Sequence, residues 1–317
     1  MSASSGLTRR LTRHATLFMS VSVLVGLLAQ DLARLLAPLV IFASMGAMFL
    51  TALRLDRRLL LGWIKRPMIP VSIVLFTTLL IPAMVIALTR IGAVPPSVAL
   101  ACALIAATPP IISVGPYCVF LGTDNELLSL SVLPATAVGI ITLPFFASLS
   151  GLPGLEPSRL ALELLMVVGS AMGGAVLIRL FVPLERIEQH APALDFGALV
   201  LMVTVAVGVT DGLASLIVAQ PAVVVEAFVV TAVLSLALQA IGWLAFNRFG
   251  PCVAGSVALV NGLRNMALLL GLLIGHVDAS LQLLLVLGQL QLFLLPSVMR
   301  PMYRKLGLEP GSAALQR

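Results

Sequence analysis

Long apolar stretches are the feature of this chain that most restricts its fold. The sequence of 317 residues contains about ten of them, each near the roughly 20 residues that a helix needs to cross a hydrocarbon layer. Backbone N–H and C=O groups in such a layer must be paired within the protein, so helices are the expected structure. With 60% hydrophobic and 10% charged residues, the composition predicts an all-α polytopic membrane protein. Its main partner is then the lipid bilayer.

We predict ten membrane-spanning helices. They cover residues 15–29, 33–53, 68–89, 97–121, 126–149, 159–181, 194–217, 221–246, 251–275 and 279–299. The Gly- and Pro-rich loop 151–157 divides these spans into five and five. A unit of five spans crosses the membrane an odd number of times, so the second unit must enter in the opposite orientation. We therefore expect a single membrane transporter domain, 1–317, with two inverted five-helix repeats, 15–149 and 159–303.

The distribution of Lys and Arg predicts the orientation. Only Arg34, Arg90 and Arg159 fall in loops opposite the N-terminus, and all other basic residues except Arg264 fall on the N-terminal side. The positive-inside rule places both termini in the cytoplasm. We expect a multi-pass protein of the plasma membrane, the inner membrane of a bacterium. A cleaved secretory signal over residues 1–30 is the alternative interpretation of the first span.

The net charge of +6 is explained by this topology. The basic residues are dispersed over loops and form no patch with interleaved aromatic residues. A nucleic-acid partner is therefore not expected.

Spans four and nine, the fourth of each half, are the least compatible with continuous helices. Pro109, Pro110 and Pro116 interrupt span four, and Asn261 and Gly262 lie together in span nine. Proline donates no backbone N–H and leaves carbonyls free on the preceding turn. Corresponding interruptions in two halves are typical of a transport site near the midplane. The alternative for the prolines is a kinked but continuous helix.

Arg264 is the one charge deep inside a predicted span. On a straight helix over 251–275 its Cα lies about 16 Å from the nearer end, too far for easy contact with headgroups. A charge at this depth is costly unless protein, water or an anion compensates it. We expect a bound anion or a water-filled cavity, with the positive N-terminal ends of the broken helices also meeting near Arg264. The alternative is an ion pair with Glu163, Glu226 or Asp211, which all lie near span ends.

The candidate site takes in polar residues beside the two interruptions. The expected substrate-binding residues are Arg264, Asn265, Asn261, Gly262, Thr108 and Ser113. Ser129, Gln289 and Gln291 are further candidates for an ion site or a structural role. Hydrogen bonding between helices is the alternative for the two glutamines, and bonding to the residue's own helix is the alternative for the serines.

Two segments resemble the bile acid:sodium symporter superfamily. They read Phe-Leu-Gly-Thr-Asp-Asn-Glu-Leu-Leu-Ser-Leu-Ser-Val-Leu from residue 120 and Asn-Gly-Leu-Arg-Asn-Met-Ala-Leu from residue 261. The resemblance implies that spans four and nine cross as broken helices and that a core domain moves against a panel domain in alternating access. It also implies sodium-coupled uptake of an organic anion. Asn125 and Ser129 match the segment that opens span five, and Gly262 and Asn265 match the span-nine motif.

The departures from the family concern the sodium ligands. A Glu and a Gln of the span-nine motif correspond to Val260 and Arg264 here, and Thr77 stands near the span-three Gln, as a possible ion or structural residue. A guanidinium about 4 Å from sodium would repel it by about 4 kcal/mol at an effective dielectric constant near 20. We therefore predict that Arg264 replaces sodium. Sodium is disfavoured, and no other cofactor or metal is expected.

These features together predict a secondary transporter of a small organic anion. An enzyme is not expected, since the chain shows no paired carboxylates near a groove, no metal-ligating set and no activated nucleophile, and its three His are scattered. Two alternatives stay open. One is a sodium-coupled symporter that binds the ion through backbone carbonyls, and the other is a non-transporting membrane sensor of the same fold.

Overall fold

Helices make up nearly all of the part of the chain that the structure describes. The computed structural model describes residues 15–54, 67–92, 94–112, 117–118, 121–151, 156–273 and 277–308. In these ranges no β-strand is present beyond one isolated bridge. The α-helices are α1 (Ala15–Leu28), α2 (Gln30–Leu36), α3 (Val40–Leu53), α4 (Met68–Leu75), α5 (Ile81–Ile91), α6 (Pro96–Ala107), α7 (Asn125–Leu149), α8 (Pro157–Phe181), α9 (Leu184–Gln189), α10 (Ala191–Gly208), α11 (Leu213–Ala219), α12 (Pro221–Phe246), α13 (Pro251–Gly262), α14 (Met266–Leu273) and α15 (Ala279–Lys305).

The length and composition of these helices make the chain a multi-pass membrane protein. Seven helical segments of the described chain are long and apolar enough to cross a bilayer. Three shorter apolar helices accompany them, Phe18–Leu28, Pro96–Ala107 and Pro251–Gly262. The predicted all-helical membrane class is thereby confirmed, and two of the three short helices are the first halves of the predicted interrupted spans.

The outer faces of the long helices are apolar. Phe42 on α3, Leu165 and Leu177 on α8, and Val233 and Leu244 on α12 are each more than half exposed. A soluble protein rarely exposes so many large apolar side chains. Lipid is the environment that suits these faces.

The helices pack as two bundles. The smaller bundle consists of α1, α2, α3, α8 and α10, and the larger bundle consists of α4–α7 and α12–α15. Contacts between the bundles run mainly from α1 to α15, from α3 to α14 and from α7 to α8. The boundary between the bundles therefore passes beside the broken segment that joins α13 to α14.

The sequence did not reveal two irregularities of the helices. A π-helical segment, Phe76–Leu80, separates α4 from α5, and residues 209–212 separate α10 from α11, with Gly212 at φ 73°. Conversely, Pro134 and Pro144 stay inside the continuous helix α7. Proline alone therefore does not decide where a helix breaks, because neighbouring helices and side chains can satisfy the carbonyls that it frees.

Gly242 sets the approach of α12 to α13 and gives a test of this packing. A Cβ built at Gly242 lies 2.7 Å from Asn261 Nδ2 and 3.0 Å from the Val257 carbonyl oxygen. We expect Gly242→Ala to destabilise the protein by about 1–3 kcal/mol through overpacking, seen as a lower Tm of the purified protein. Gly173→Ala is the control, since Gly173 is exposed with open space around it. Equal Tm values for both variants would contradict the tight α12–α13 contact.

Candidate functional site

The interruption predicted in span four begins at the end of α6. Thr108 adopts an extended conformation with φ −63° and ψ 135°, because a residue before proline avoids the helical region. Its N–H and its hydroxyl both donate to the Leu104 carbonyl, at 2.9 Å and 2.7 Å. Pro109 and Pro110 have no N–H with which to continue the helix.

The interruption in span nine follows Gly262, the last residue of α13. Leu263 leaves the helix at φ −102° and ψ 86°, and α14 begins only at Met266. A Cβ at Gly262 would lie 2.1 Å from Gln239 Cγ, so a side chain here would collide with the Gln239 side chain on the neighbouring helix α12. The freed Gly262 carbonyl accepts a hydrogen bond from the Ser235 hydroxyl at 2.8 Å.

The two interrupted segments pair with each other. The Ile111 N–H donates to the Leu263 carbonyl and the Asn265 N–H donates to the Pro109 carbonyl, both at 2.9 Å. These bonds form an antiparallel bridge between Pro110 and Arg264. We call residues 108–111 and 262–265 the crossing. Backbone groups that each break exposes are thus paired inside the protein, as a hydrocarbon environment demands.

Arg264 lies buried at the crossing with an exposed fraction of 3%. Its Nε donates to the Asn261 carbonyl at 2.8 Å, and its Nη2 lies 3.3 Å from Asn261 Oδ1. Its Nη1 donates to the carbonyls of Thr108 at 3.1 Å and Thr77 at 3.4 Å. The guanidinium therefore joins α13, α6 and the π-helical segment through one planar group.

The acceptors show which helix ends Arg264 faces. Thr108 and Asn261 lie at the C-terminal ends of α6 and α13, where unpaired carbonyls carry partial negative charge. The donors of the guanidinium therefore face C-terminal helix ends. α14 begins at Met266, two residues after Arg264, and the start of the second half of span four lies outside the described residues, so the expectation that two positive N-terminal ends meet near Arg264 stays a prediction. Arg264 supplies the N–H donors that the two breaks removed, because its side chain folds back towards the helix that precedes it.

The Thr77 carbonyl is free for Arg264 because of the π-helical geometry. In this segment the Ile81 N–H donates to the Phe76 carbonyl, five residues earlier. The next donor in that pattern would be residue 82, which is a proline without N–H. Arg264 Nη1 donates to the Thr77 carbonyl instead. The hydroxyl of Thr77 is buried and has no hydrogen-bond partner in the described structure.

No carboxylate pairs with Arg264 among the residues that the structure describes. The ion pairs there are Arg54 with Asp195 and Arg159 with Glu163. Within the described residues Glu163 pairs with Arg159, and Glu226 and Asp211 make no ion pair, so none of the three predicted carboxylates pairs with Arg264. The positive charge at the crossing is stabilised by carbonyl dipoles and carries no neutralising partner in the described chain.

Asn265 faces the boundary between the two bundles. Its Oδ1 accepts from the Leu268 N–H at 3.3 Å, which caps the start of α14, and from the Ser44 hydroxyl of the smaller bundle at 3.4 Å. Its Nδ2 contacts the thioether of Met48 at 3.8 Å. Asn265 therefore connects the crossing to α3 through long, weak contacts.

A small cavity lies at this boundary beside Asn265. Its volume is about 20 Å³, the space that one or two water molecules need. Its lining residues come from both bundles and are Ser44, Ala47, Met48, Ile111, Ile112, Met202, Val205, Asn265, Ala267 and Gln289. Arg264 does not line it. The crossing thus has two faces, one that holds the guanidinium and one that borders the cavity.

The structure divides the predicted site residues between these faces. Asn261, Thr108 and Thr77 surround Arg264, and Gly262 provides the break beside it. Asn265 and Gln289 line the cavity.

Gln291 and Ser129, two further predicted residues, lie on α15 and α7 and do not line the cavity. Gln291 donates from Nε2 to the Phe228 carbonyl at 3.3 Å, a contact between α15 and α12. Ser129 is half-buried on α7 and belongs to neither face. Ser113 lies outside the described residues, as does the side chain of Asn125.

Sequence reasoning missed Ser44, Ser235 and Gln239. Ser44 lies in one long apolar span, and Ser235 and Gln239 lie in another, where polar residues usually bond to their own or a neighbouring helix. None of the three left a usable signal, because the contact of Gln239 with Gly262 depends on packing between two spans.

Neither a scan against protein-family models nor a search of curated proteins finds a match to this chain. The resemblance to the bile acid:sodium symporter superfamily therefore stays a prediction.

Substitution of Arg264 tests its structural role. Arg264→Leu leaves the buried carbonyls of Thr77, Thr108 and Asn261 without this donor, and we expect a loss of about 3 kcal/mol or more, at about 1–3 kcal/mol for each unsatisfied group. Thermal unfolding of the purified protein measures the loss.

The matched control is Arg159→Leu, which removes an exposed pair within one helix and should cost less than about 1 kcal/mol. An unchanged Tm for Arg264→Leu would mean that the three carbonyls find other donors.

Proposed function

We propose that this protein is a secondary transporter that moves a small organic anion across the plasma membrane by alternating access, with Arg264 in place of sodium at the midplane. The observation that carries the proposal is the buried guanidinium at the crossing of two interrupted helices, without a carboxylate partner in the described chain. A positive charge in this position favours the approach of an anion to the crossing.

The composition of the two bundles supports the proposed plan of ten spans in two inverted repeats. The smaller bundle contains predicted spans one, two, six and seven, and the larger bundle contains the others. These are corresponding members of the two halves. The antiparallel bridge also joins span four to span nine, its counterpart. In this plan both termini are cytoplasmic.

The boundary between the bundles supports relative movement. The Ser44–Asn265 bond is 3.4 Å long, the Ser20 hydroxyl donates to the Phe293 carbonyl at 2.9 Å, and the Tyr117 hydroxyl contacts the Met19 sulfur. Apolar side chains fill most of the remaining contact. Packed helices with few polar bonds between them can slide past each other at low cost.

The oxygen atoms around Arg264 support its role as a resident cation. Carbonyl and amide oxygens are the ligands that hard cations such as sodium prefer. Here three carbonyls and Asn261 Oδ1 are already bonded to the guanidinium. A sodium symporter that uses these same carbonyls would have to place two positive charges together, which disfavours that alternative.

Uptake into proteoliposomes tests the transport function. We expect radiolabelled propionate, lactate or cholate to accumulate in vesicles that contain the protein, at initial rates that do not change when external sodium is replaced by choline. The physical reason is that the positive charge is covalently attached. Empty vesicles are the control.

Three results would count against parts of this proposal. Sodium-dependent uptake would contradict the resident cation. Thermal stabilisation by these anions without uptake would favour a membrane sensor. Absence of both binding and uptake for all three anions would overturn the organic-anion proposal.

Arg264→Gln provides a second test of the resident cation. The variant loses the charge but keeps the surrounding oxygens, so we expect sodium to raise its Tm while the Tm of the wild type stays unchanged. Potassium chloride at the same ionic strength is the control for salt effects. Equal responses of variant and wild type to sodium would contradict the assignment.

A further inference from the structure

Gln289 presents an unpaired acceptor at the boundary between the bundles. Its side chain has an exposed fraction of 1% and lines the cavity, and its Oε1 accepts no hydrogen bond in the described structure. A buried acceptor without a donor is energetically costly. The position is therefore suited to a group that brings an O–H or N–H.

Asn265 presents a weakly used donor to the same cavity. Its Oδ1 is occupied by the Leu268 N–H and the Ser44 hydroxyl, whereas its Nδ2 has only the Met48 thioether at 3.8 Å. A thioether sulfur is a weak acceptor. Two residues that line the cavity thus carry an unsatisfied acceptor and a poorly satisfied donor.

A hydroxyl group is the chemical complement of this pair, because it donates one hydrogen bond and accepts others. The volume of about 20 Å³ admits a group of that size and excludes the body of an organic molecule. Ala47, Met202 and Val205 give the rest of the lining an apolar character. A charged oxygen placed against Gln289 Oε1 would be repelled.

We infer that this cavity is a subsite for a hydroxyl group on the transported anion and that Gln289 is the residue that selects for it. The inference rests on the proposed function. The hydroxyl alone enters the cavity, and the small volume leaves the carboxylate of the same anion outside it. The preferred substrates are then hydroxy acids over the acids that lack the hydroxyl.

The position of Ser44 adds a link between the subsite and the movement of the bundles. Ser44 lies on α3 in the smaller bundle, whereas Asn265 and Gln289 belong to the larger bundle. A hydroxyl held between them contacts both bundles at once. It is released when the bundles separate, which couples recognition of the substrate to the transport cycle.

Gln291 offers a matched control on the same helix. Its Oε1 is also buried without a partner, and its side chain has an exposed fraction of 2%. However, its Nε2 bonds to the Phe228 carbonyl, and it does not line the cavity. Gln291→Met removes one side-chain amide from α15, as Gln289→Met does, but it leaves the lining of the cavity unchanged.

The experiment compares lactate with propionate, which differ by one hydroxyl. Affinities are measured by thermal stabilisation of the purified protein and by competition for uptake, for wild type, Gln289→Met and Gln291→Met. We expect wild type to bind at least one enantiomer of lactate about tenfold more tightly than propionate, the effect of one hydrogen bond to a buried group. Gln289→Met should lose this preference and still bind propionate, and Gln291→Met should retain it.

The outcomes separate the subsite from the proposed function. Equal affinity of wild type for lactate and propionate, or an unchanged preference in Gln289→Met, overturns the hydroxyl subsite while the anion-transport proposal stands. Loss of the preference in Gln291→Met as well as in Gln289→Met overturns the assignment to the cavity. Failure of wild type to bind either acid overturns the hydroxy-acid specificity, and it leaves cholate uptake as the independent measure of transport.

Discussion

The need to pair every backbone polar group inside hydrocarbon determines the architecture at the centre of this protein. Two helices stop midway, and each stop would leave carbonyls and N–H groups exposed to an apolar medium. The segments 108–111 and 262–265 resolve part of this by pairing with each other. The guanidinium of Arg264 donates hydrogen bonds to further carbonyls, because its planar fork reaches three different segments at once.

The crossing also directs the side chains of two consecutive residues, Arg264 and Asn265, to different sides. Arg264 turns its side chain to the C-terminal ends of α6 and α13, while Asn265 turns to the boundary between the bundles. Successive residues of an extended segment point to opposite sides, which is the geometry of the short bridge at the crossing. One backbone segment can thus hold a fixed charge on one side and contribute to a cavity on the other.

Hydropathy and residue type predicted the positions of most helices and the presence of both breaks. The first break could be predicted because Pro109 and Pro110 are incompatible with a regular helix. The second could be predicted because an arginine beside Asn261 and Gly262 is improbable in a continuous span. The direction of the Arg264 side chain was not readable, since the sequence does not say which side of a break supplies its partners. The roles of Thr77 and Ser44 depend on a π-helical segment and on packing between distant spans, and neither leaves a local pattern.

A cation that is covalently part of the chain has an energetic consequence for the proposed cycle. An imported sodium ion would cancel the charge of a monovalent anion and make the joint movement electrically neutral. Arg264 stays in the larger bundle, so its charge is not delivered with the cargo, and each anion that crosses transfers one net negative charge. A potential of 100 mV, negative inside, then opposes entry of that anion by about 2.3 kcal/mol and favours its exit to the same extent. Without a co-transported proton or an exchanged anion, this voltage directs net flow outward.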